Sequence, residues 1–287
     1  MAEHEIIELN IGQPLDIRHS LESGQVFRWQ RQEDWHYGVI GENLIALCQF
    51  GSVLKIVHDS GETQNVIDLV SKFLRLDDNI EEIYSVIGTD ERIKEAISAY
   101  RGLRILRQDP WECLIGFICS ANSNIPRISS SMRSIAYNYG AKRTLGLFEG
   151  YVFPSAEDIA SLGETPLREL KIGFRARYIA RVAEIIAAGK LDLYGLKYMP
   201  YEDAKEELKS LPGIGDKVAD CVLLFSLDKL EACPIDRWIR RAFEDWYLLD
   251  SRFKYEEFYK WAFDKWGGFA GYAQQYLFQS RRLAPGL

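Results

Sequence analysis

The sequence predicts an α+β protein: an N-terminal antiparallel sheet domain with flanking helices over residues 1–105, then two mainly α-helical lobes over 106–287. Three observations lead there. Short runs rich in aromatic and β-branched residues crowd the first 60 positions, with glycine-containing turns between them. From about residue 62 onward apolar residues recur at helical spacing. Finally, Leu211-Pro212-Gly213-Ile214-Gly215 makes a tight turn that opens a helix-like run, and a second helix start follows at Asp236.

The strand runs are 26–29, 35–40, 44–47 and 53–57, with turns supplied by 41–43 and 51–52. Helical spacing begins with Val66, Leu69, Val70, Phe73 and Leu74. Ile80, Ile83, Tyr84 and Ile87 mark a second helix, and 93–100 a third. Asp109-Pro110-Trp111-Glu112 reads as a helix start: Asp109 caps, Pro110 fits the first position and Glu112 completes a capping box. That helix breaks near 120–124, and 125–137 starts again. A helix over 216–225 follows the glycine turn, and 269–282 is the last. There are no internal repeats, and no linker is long enough to separate independent domains.

The chain has 287 residues and 47% hydrophobic content, enough for about two domains with a sizeable core. Net charge is 35 − 42 = −7, which argues against a molecule coated in basic surface. Nucleic acid stays open as a partner, because a local basic patch suffices. Candidate patches are Arg101, Arg104 and Arg107; Lys171, Arg175, Arg177 and Arg181; Arg237, Arg240 and Arg241; and Arg281 with Arg282. The five cysteines are odd in number and fit no zinc spacing. The amino terminus lacks a basic-then-apolar signal, and no apolar run approaches ~20 residues. A soluble, intracellular, reduced protein is expected.

Amides at the start of a helix lack partners and carry partial positive charge, so the turn at Gly213 and Gly215 forms a phosphate site that reads no sequence. Lys217 lies in the first turn of the helix that follows, where the dipole opposes a cation. Asp236 follows Pro234 and can cap 237–241. An amine and a carboxylate, nineteen positions apart, are thus each placed at a helix start.

The string LPGIG-x-K-VAD-C, with an aspartate after CPI, resembles the helix–hairpin–helix DNA glycosylase superfamily, and most closely its bifunctional 8-oxoguanine DNA glycosylases. The resemblance implies that Lys217 is the nucleophile and Asp236 the essential carboxylate. Related glycosylases often carry a four-cysteine iron–sulfur cluster after this aspartate; no cysteine follows Cys233 here. Leu21 to Trp29 resembles the family's SGQ-x-FRW stretch, which implies that the Gly24 carbonyl contacts the damaged base. QDPWECLIGFICSANSNIPRI resembles the family's asparagine-rich loop. It implies that Asn122 fills the gap left by an extruded nucleotide and that Arg127 contacts the orphaned partner base; Ser123 departs from the usual asparagines. LKIGFRARY resembles LG-x-G-[YF]-R-A-R-Y, with Lys171 replacing a glycine. It implies a wedge at Phe174 and a second partner-base contact at Arg175. Gln274 and Phe278, four apart on one helical face, match the family's pocket-lining pair, and Cys221, one turn after Lys217, joins them.

The resemblance implies excision of 8-oxoguanine opposite cytosine from double-stranded DNA, by a lysine imine and β-elimination, in a monomer that needs no metal or organic cofactor. Two alternatives stand beside it: a glycosylase releasing alkylated bases with a carboxylate and water, and a non-catalytic helix–hairpin–helix DNA-binding protein.

Overall fold

The computed structural model describes residues 5–283. Strands β1 (Ile7–Asn10), β2 (Gln30–Gln32), β3 (Trp35–Ile40), β4 (Asn43–Phe50) and β5 (Val53–His58) form one antiparallel sheet in the order β1-β5-β4-β3-β2, and helix α1 (Ile17–Glu22) lies between β1 and β2 in the chain. Successive side chains on a strand point to opposite faces. Ile45, Leu47, Leu54 and Ile56 therefore share one face, and pack with Val66, Val70 and Phe73 of α2 (Thr63–Phe73). Leu44 and Ala46 point the other way.

That second face explains one departure from the expected helical stretch. After α3 (Ile80–Ile87), α4 (Glu91–Ala99), α5 (Pro110–Ser120) and α6 (Ile125–Tyr139), the chain forms a hairpin of β6 (Lys142–Leu145) and β7 (Phe148–Tyr151). Leu145 and Phe148 cover Leu44 and Ala46, and Phe148 stacks on Tyr37 at 4.4 Å. A four-residue strand carries too little periodicity to be told from a short helix, and here the need to cover the sheet decides.

Residues 26–29 are the second departure. They are not a strand: Val26, Phe27 and Arg28 are buried as the chain crosses toward the helices. Phe27 meets Phe117 of α5 edge-on, and Arg28 forms a two-pronged bond to Glu112, with Nε at 2.7 Å from Oε1 and Nη2 at 2.6 Å from Oε2. This also corrects the capping box. Asp109 caps α5 through the Glu112 amide, but the Glu112 carboxylate is taken by Arg28.

The remaining helices are α7 (Ala156–Leu162), α8 (Glu164–Glu169), α9 (Arg175–Ala187), α10 (Tyr201–Lys209), α11 (Asp216–Ser226), α12 (Arg237–Tyr247), α13 (Tyr255–Trp266) and α14 (Ala270–Leu283). They share one apolar core with α3, α4 and α5. The last helix, α14, packs on α3, α4 and α12, so it returns beside helices of the N-terminal third. Among the described residues no helix is long and apolar enough to cross a membrane.

Asp228, just past α11, clamps the sheet side to the helical side. It pairs with Arg75 at the end of the α2 segment, with Arg107 at 2.8 Å, and with Lys197 at 2.6 Å. Burial works against its charge, but Arg75 and the other two cations outweigh it and hold the carboxyl at about 2, below its ordinary 3.8. A lowered carboxyl stabilises the fold above its unfolded value and loses that contribution as pH falls through about 2. The gap corresponds to roughly 2 kcal/mol. Asp228→Asn is expected to be less stable by about this amount in urea melts at neutral pH, with the difference closing on acidification. A difference independent of pH would assign the loss to packing instead.

Candidate active site

Helices α10 and α11 form a hairpin around Leu211-Pro212-Gly213-Ile214-Gly215. Gly213 has φ +83°, and a Cβ there would lie 2.6 Å from the Tyr178 ring, so the turn admits only glycine. Gly215 is the N-cap of α11 and offers no side chain to its amides. Both glycines are exposed. Lys217 follows in the first turn. Its Nζ lies 3.1 Å from Ser120 Oγ and 5.0 Å above the centre of the Phe117 ring. Ser120 donates its own proton to the Phe117 carbonyl at 2.6 Å, which leaves its oxygen to accept from the amine.

Asp236 caps α12. Its Oδ1 accepts from the amides of Trp238 and Ile239, both at 2.9 Å. The cap does not use Oδ2. Two backbone bonds therefore set the orientation of the carboxylate without engaging its other oxygen.

Lys217 and Asp236 line one cavity of about 560 Å³, together with Gly24, Cys221, Gln274 and Phe278. Residues from the sheet side, α11, α12 and α14 converge there. The Cys221 thiol is pushed up to about 12, chiefly by burial, so it is neutral at physiological pH. Gln274 is buried, and its Oε1 has no hydrogen-bond partner among the described residues. Gly24 has φ +85°, in a turn held by Gln25, whose Nε2 donates to Ser23 Oγ at 2.9 Å and to the Arg104 carbonyl at 2.8 Å. A Cβ at Gly24 would stand 2.7 Å from Ile125 Cδ1, so alanine there strains the backbone and displaces the start of α6.

Several lining residues were not expected from the sequence. Phe27, Phe117 and Phe225 form an apolar floor, with Phe117 stacked on Phe225 at 5.5 Å. Ser120 stands three residues after Phe117, on the same helix face, and holds the lysine. In the sequence these rings are indistinguishable from ordinary core. Trp238, in the first turn of α12, is 40% exposed at the cavity mouth; its place two residues after Asp236 was the available signal.

A second hollow of about 520 Å³ shares Lys217, Asp236, Arg237 and Trp238 and extends along Asn122. The amine and the carboxylate thus stand where the two hollows meet. Asn122 is exposed with φ +50°, and Asn124 caps α6 by accepting from the Arg127 amide at 3.0 Å. Arg127 is exposed, as is Phe174 at the start of α9. Lys171 adopts φ +61°, so it keeps the left-handed turn that glycine would make without strain.

Arg175 stands differently from the expectation that it meets a partner base. Its guanidinium is buried and donates to the carbonyls of Ala121, Asn122 and Ile172. It supports the 121–124 loop from beneath instead of facing the groove.

This geometry coincides with the relatives of the chain. Residues 7–114 match the 8-oxoguanine DNA glycosylase N-terminal domain, and residues 115–266 match the HhH-GPD superfamily of base excision DNA repair proteins. The N-glycosylase/DNA lyase OGG1 of Arabidopsis thaliana is 33% identical over 92% of this chain and 79% of its own length. The N-glycosylase/DNA lyase of Saccharomyces cerevisiae is 30% identical over 92% and 82%. A solved structure of Clostridium acetobutylicum 8-oxoguanine glycosylase/lyase, in complex with double-stranded DNA containing cytosine opposite 8-oxoG, superposes with a TM-score of 0.91 at 30% identity, covering 99% of this chain and 100% of that one. The chain belongs to the 8-oxoguanine DNA glycosylase family.

Within this family frame the basic clusters divide by packing. Arg104 is fully buried and donates to the carbonyls of Pro14, Arg75 and Asp78. Arg107 pairs with Asp77 and Asp228, and Arg101 with Glu81. Arg281 pairs with Asp245, and Arg282 donates to the Glu22 carbonyl. These bonds tie separate segments of the glycosylase fold together. Lys171, Arg177, Arg237 and Arg241 remain exposed, and Arg237 lines the groove.

Arg175→Ala leaves buried carbonyls without donors, at a cost of about 1–3 kcal/mol. It is expected to lower the melting temperature of the DNA-free enzyme by several degrees and to speed proteolysis within 121–124. Arg127→Ala is expected to do neither. Equal melting temperatures for the two variants would show that Arg175 carries no load in the free enzyme.

Proposed function

We propose that this enzyme is a monomeric, bifunctional DNA glycosylase/AP lyase that excises 8-oxoguanine opposite cytosine from double-stranded DNA. The observation that carries this reading is the meeting of Lys217 and Asp236 in one apolar-floored cavity that opens into a groove. The Lys217 amine donates to the neutral Ser120 hydroxyl at the cavity wall.

An enzyme that acts on a base in a duplex must first extrude it, at a cost of about a few kcal/mol. Asn122 fills the space left behind, and Phe174 wedges against the stack. Cytosine presents acceptors on its pairing edge, and arginine only donates. The exposed Arg127 therefore reads the partner base. Arg175 reaches that base only by giving up its loop carbonyls, so we assign it to holding the loop. The amides of Gly213 and Gly215 grip a backbone phosphate.

In the cavity the lysine Nζ lone pair attacks the sugar C1′. The C1′–N9 bond breaks, and its electrons leave with the base. Positive charge builds on the sugar as the base departs, and the oriented Asp236 carboxylate stabilises it. Transfer of one amine proton to O4′ as the C1′–O4′ bond opens gives a protonated imine, which acidifies the C2′ hydrogen. Removal of that proton expels the 3′ phosphate by β-elimination.

Lesion reading follows from donors and acceptors. Guanine carries an acceptor at N7, whereas 8-oxoguanine carries hydrogen there. The Gly24 carbonyl can only accept, so it attracts the lesion and repels the normal base. Gln274 has an unused buried acceptor for the donors of the guanine pairing edge. Phe278 covers a base face, and the neutral Cys221 thiol packs beside the nucleophile.

Borohydride is expected to trap a covalent adduct between the wild-type enzyme and DNA containing 8-oxoguanine opposite cytosine. Lys217→Gln should abolish trapping and base release while leaving duplex binding within about twofold. Base release by Lys217→Gln at the wild-type rate would instead favour a carboxylate-and-water route. A second test separates the N7 hydrogen from bulk at C8. 8-Bromoguanine fills C8 but keeps the N7 acceptor, so it should be excised at least tenfold more slowly than 8-oxoguanine. Comparable rates would remove the carbonyl reading.

A further inference from the structure

Asp220 lies three residues after Lys217 on α11 and is fully buried. Its Oδ1 accepts from the Tyr201 hydroxyl at 2.7 Å; its Oδ2 accepts from the Tyr255 hydroxyl at 2.6 Å and from Lys205 Nζ at 3.4 Å. Lys205 is itself buried, with its Nζ 5.0 to 5.4 Å from the ring centres of Tyr201, Tyr255 and Tyr259. Taking both charges out of water opposes the attraction between them, so the presence of a buried pair is weak evidence of a stabilising purpose.

One bond in the cluster points elsewhere. The Tyr255 hydroxyl accepts from the amide of Ile235 at 3.2 Å, directly before Asp236. Burial pushes the Asp220 carboxyl up to about 6, so it is ionised at neutral pH and accepts a hydrogen bond from the phenol O–H. The phenol oxygen is then left to face the Ile235 N–H. A single hydroxyl thus joins the helix that carries the amine to the loop that carries the carboxylate. Tyr255 also borders the groove at Lys217 and Asp236. Tyr201 binds the same carboxylate, with no hydrogen bond to that loop among the described residues.

We propose that Tyr255, held by Asp220, is a positioning residue that sets Asp236 relative to Lys217 for base release. This rests on the role assigned above to Asp236. Reactions that depend on such placement lose rate steeply when geometry relaxes by a fraction of an ångström to an ångström.

The test compares Tyr255→Phe with Tyr201→Phe, since each removes one phenol donor from Asp220 and keeps the ring. Both are expected to lower the melting temperature by similar amounts and to bind a duplex carrying a non-cleavable abasic analogue within twofold of wild type. Single-turnover release of 8-oxoguanine should fall at least tenfold in Tyr255→Phe and less than threefold in Tyr201→Phe. Equal losses in the two variants, or a loss below threefold in Tyr255→Phe, would overturn the proposal. A further measurement uses the wild-type enzyme alone: the Ile235 amide should be protected from deuterium exchange, and rapid exchange there would remove the bridge even if Tyr255→Phe failed to fold. Asp236→Asn serves as the reference. If it releases the base at the wild-type rate, the role of Asp236 itself fails, whatever the Tyr255 variant does.

Discussion

The burial of α11 is the constraint on which the site depends. Every residue from Val218 to Ser226 is buried, and α11 meets the cavity through Lys217, Cys221 and Phe225 along one side. A helix enclosed in this way cannot shift without displacing its neighbours, because protein interiors are close-packed. Its start is set by the glycine turn against Tyr178, its side by Asp220 and its end by the Asp228 clamp. The position of Lys217 is therefore decided by packing far from the amine itself.

Charge is handled locally in this acidic chain. Helix starts at Gly215 and Asp236 provide directed positive ends, while many arginines are consumed in holding loops and segments together. Arg104 and Arg175 each hold backbone carbonyls in the interior, which makes them structural cations without a carboxylate partner in these bonds. What faces the groove is a smaller set of exposed basic residues. That arrangement reconciles a net charge of −7 with a polyanionic substrate.

The cavity also couples the two halves of the molecule. Gly24 comes from the sheet side, Lys217 and Cys221 from the hairpin helix, and Gln274 and Phe278 from the last helix. Gln25 ties the Gly24 turn to the backbone at Arg104 and Leu106, the segment leading into α5. The base reading and sugar chemistry proposed for these residues thus draw on elements that meet only when α14 folds back over α3 and α4.

Much of this was legible in the sequence, because it was local. Aromatic and β-branched runs marked the sheet, apolar spacing marked the helices, and the glycine turn, Lys217 and Asp236 could be placed at helix starts from capping chemistry alone. The caps at Asp109 and Asp236 need only the residues that follow them, and both form as expected. What failed was decided by distant partners. The Glu112 carboxylate left its cap because Arg28 reaches it from 84 positions away. Residues 142–151 became a hairpin because a sheet face needed cover. Arg104 and Arg175 went inward because buried carbonyls needed donors, and no periodicity in the sequence records that demand. The floor of Phe27, Phe117 and Phe225, and the bridge from Asp220 through Tyr255 to Ile235, exist only where separate helices meet. Local backbone chemistry is written in neighbouring residues; which side chain satisfies a buried group depends on what tertiary packing brings beside it.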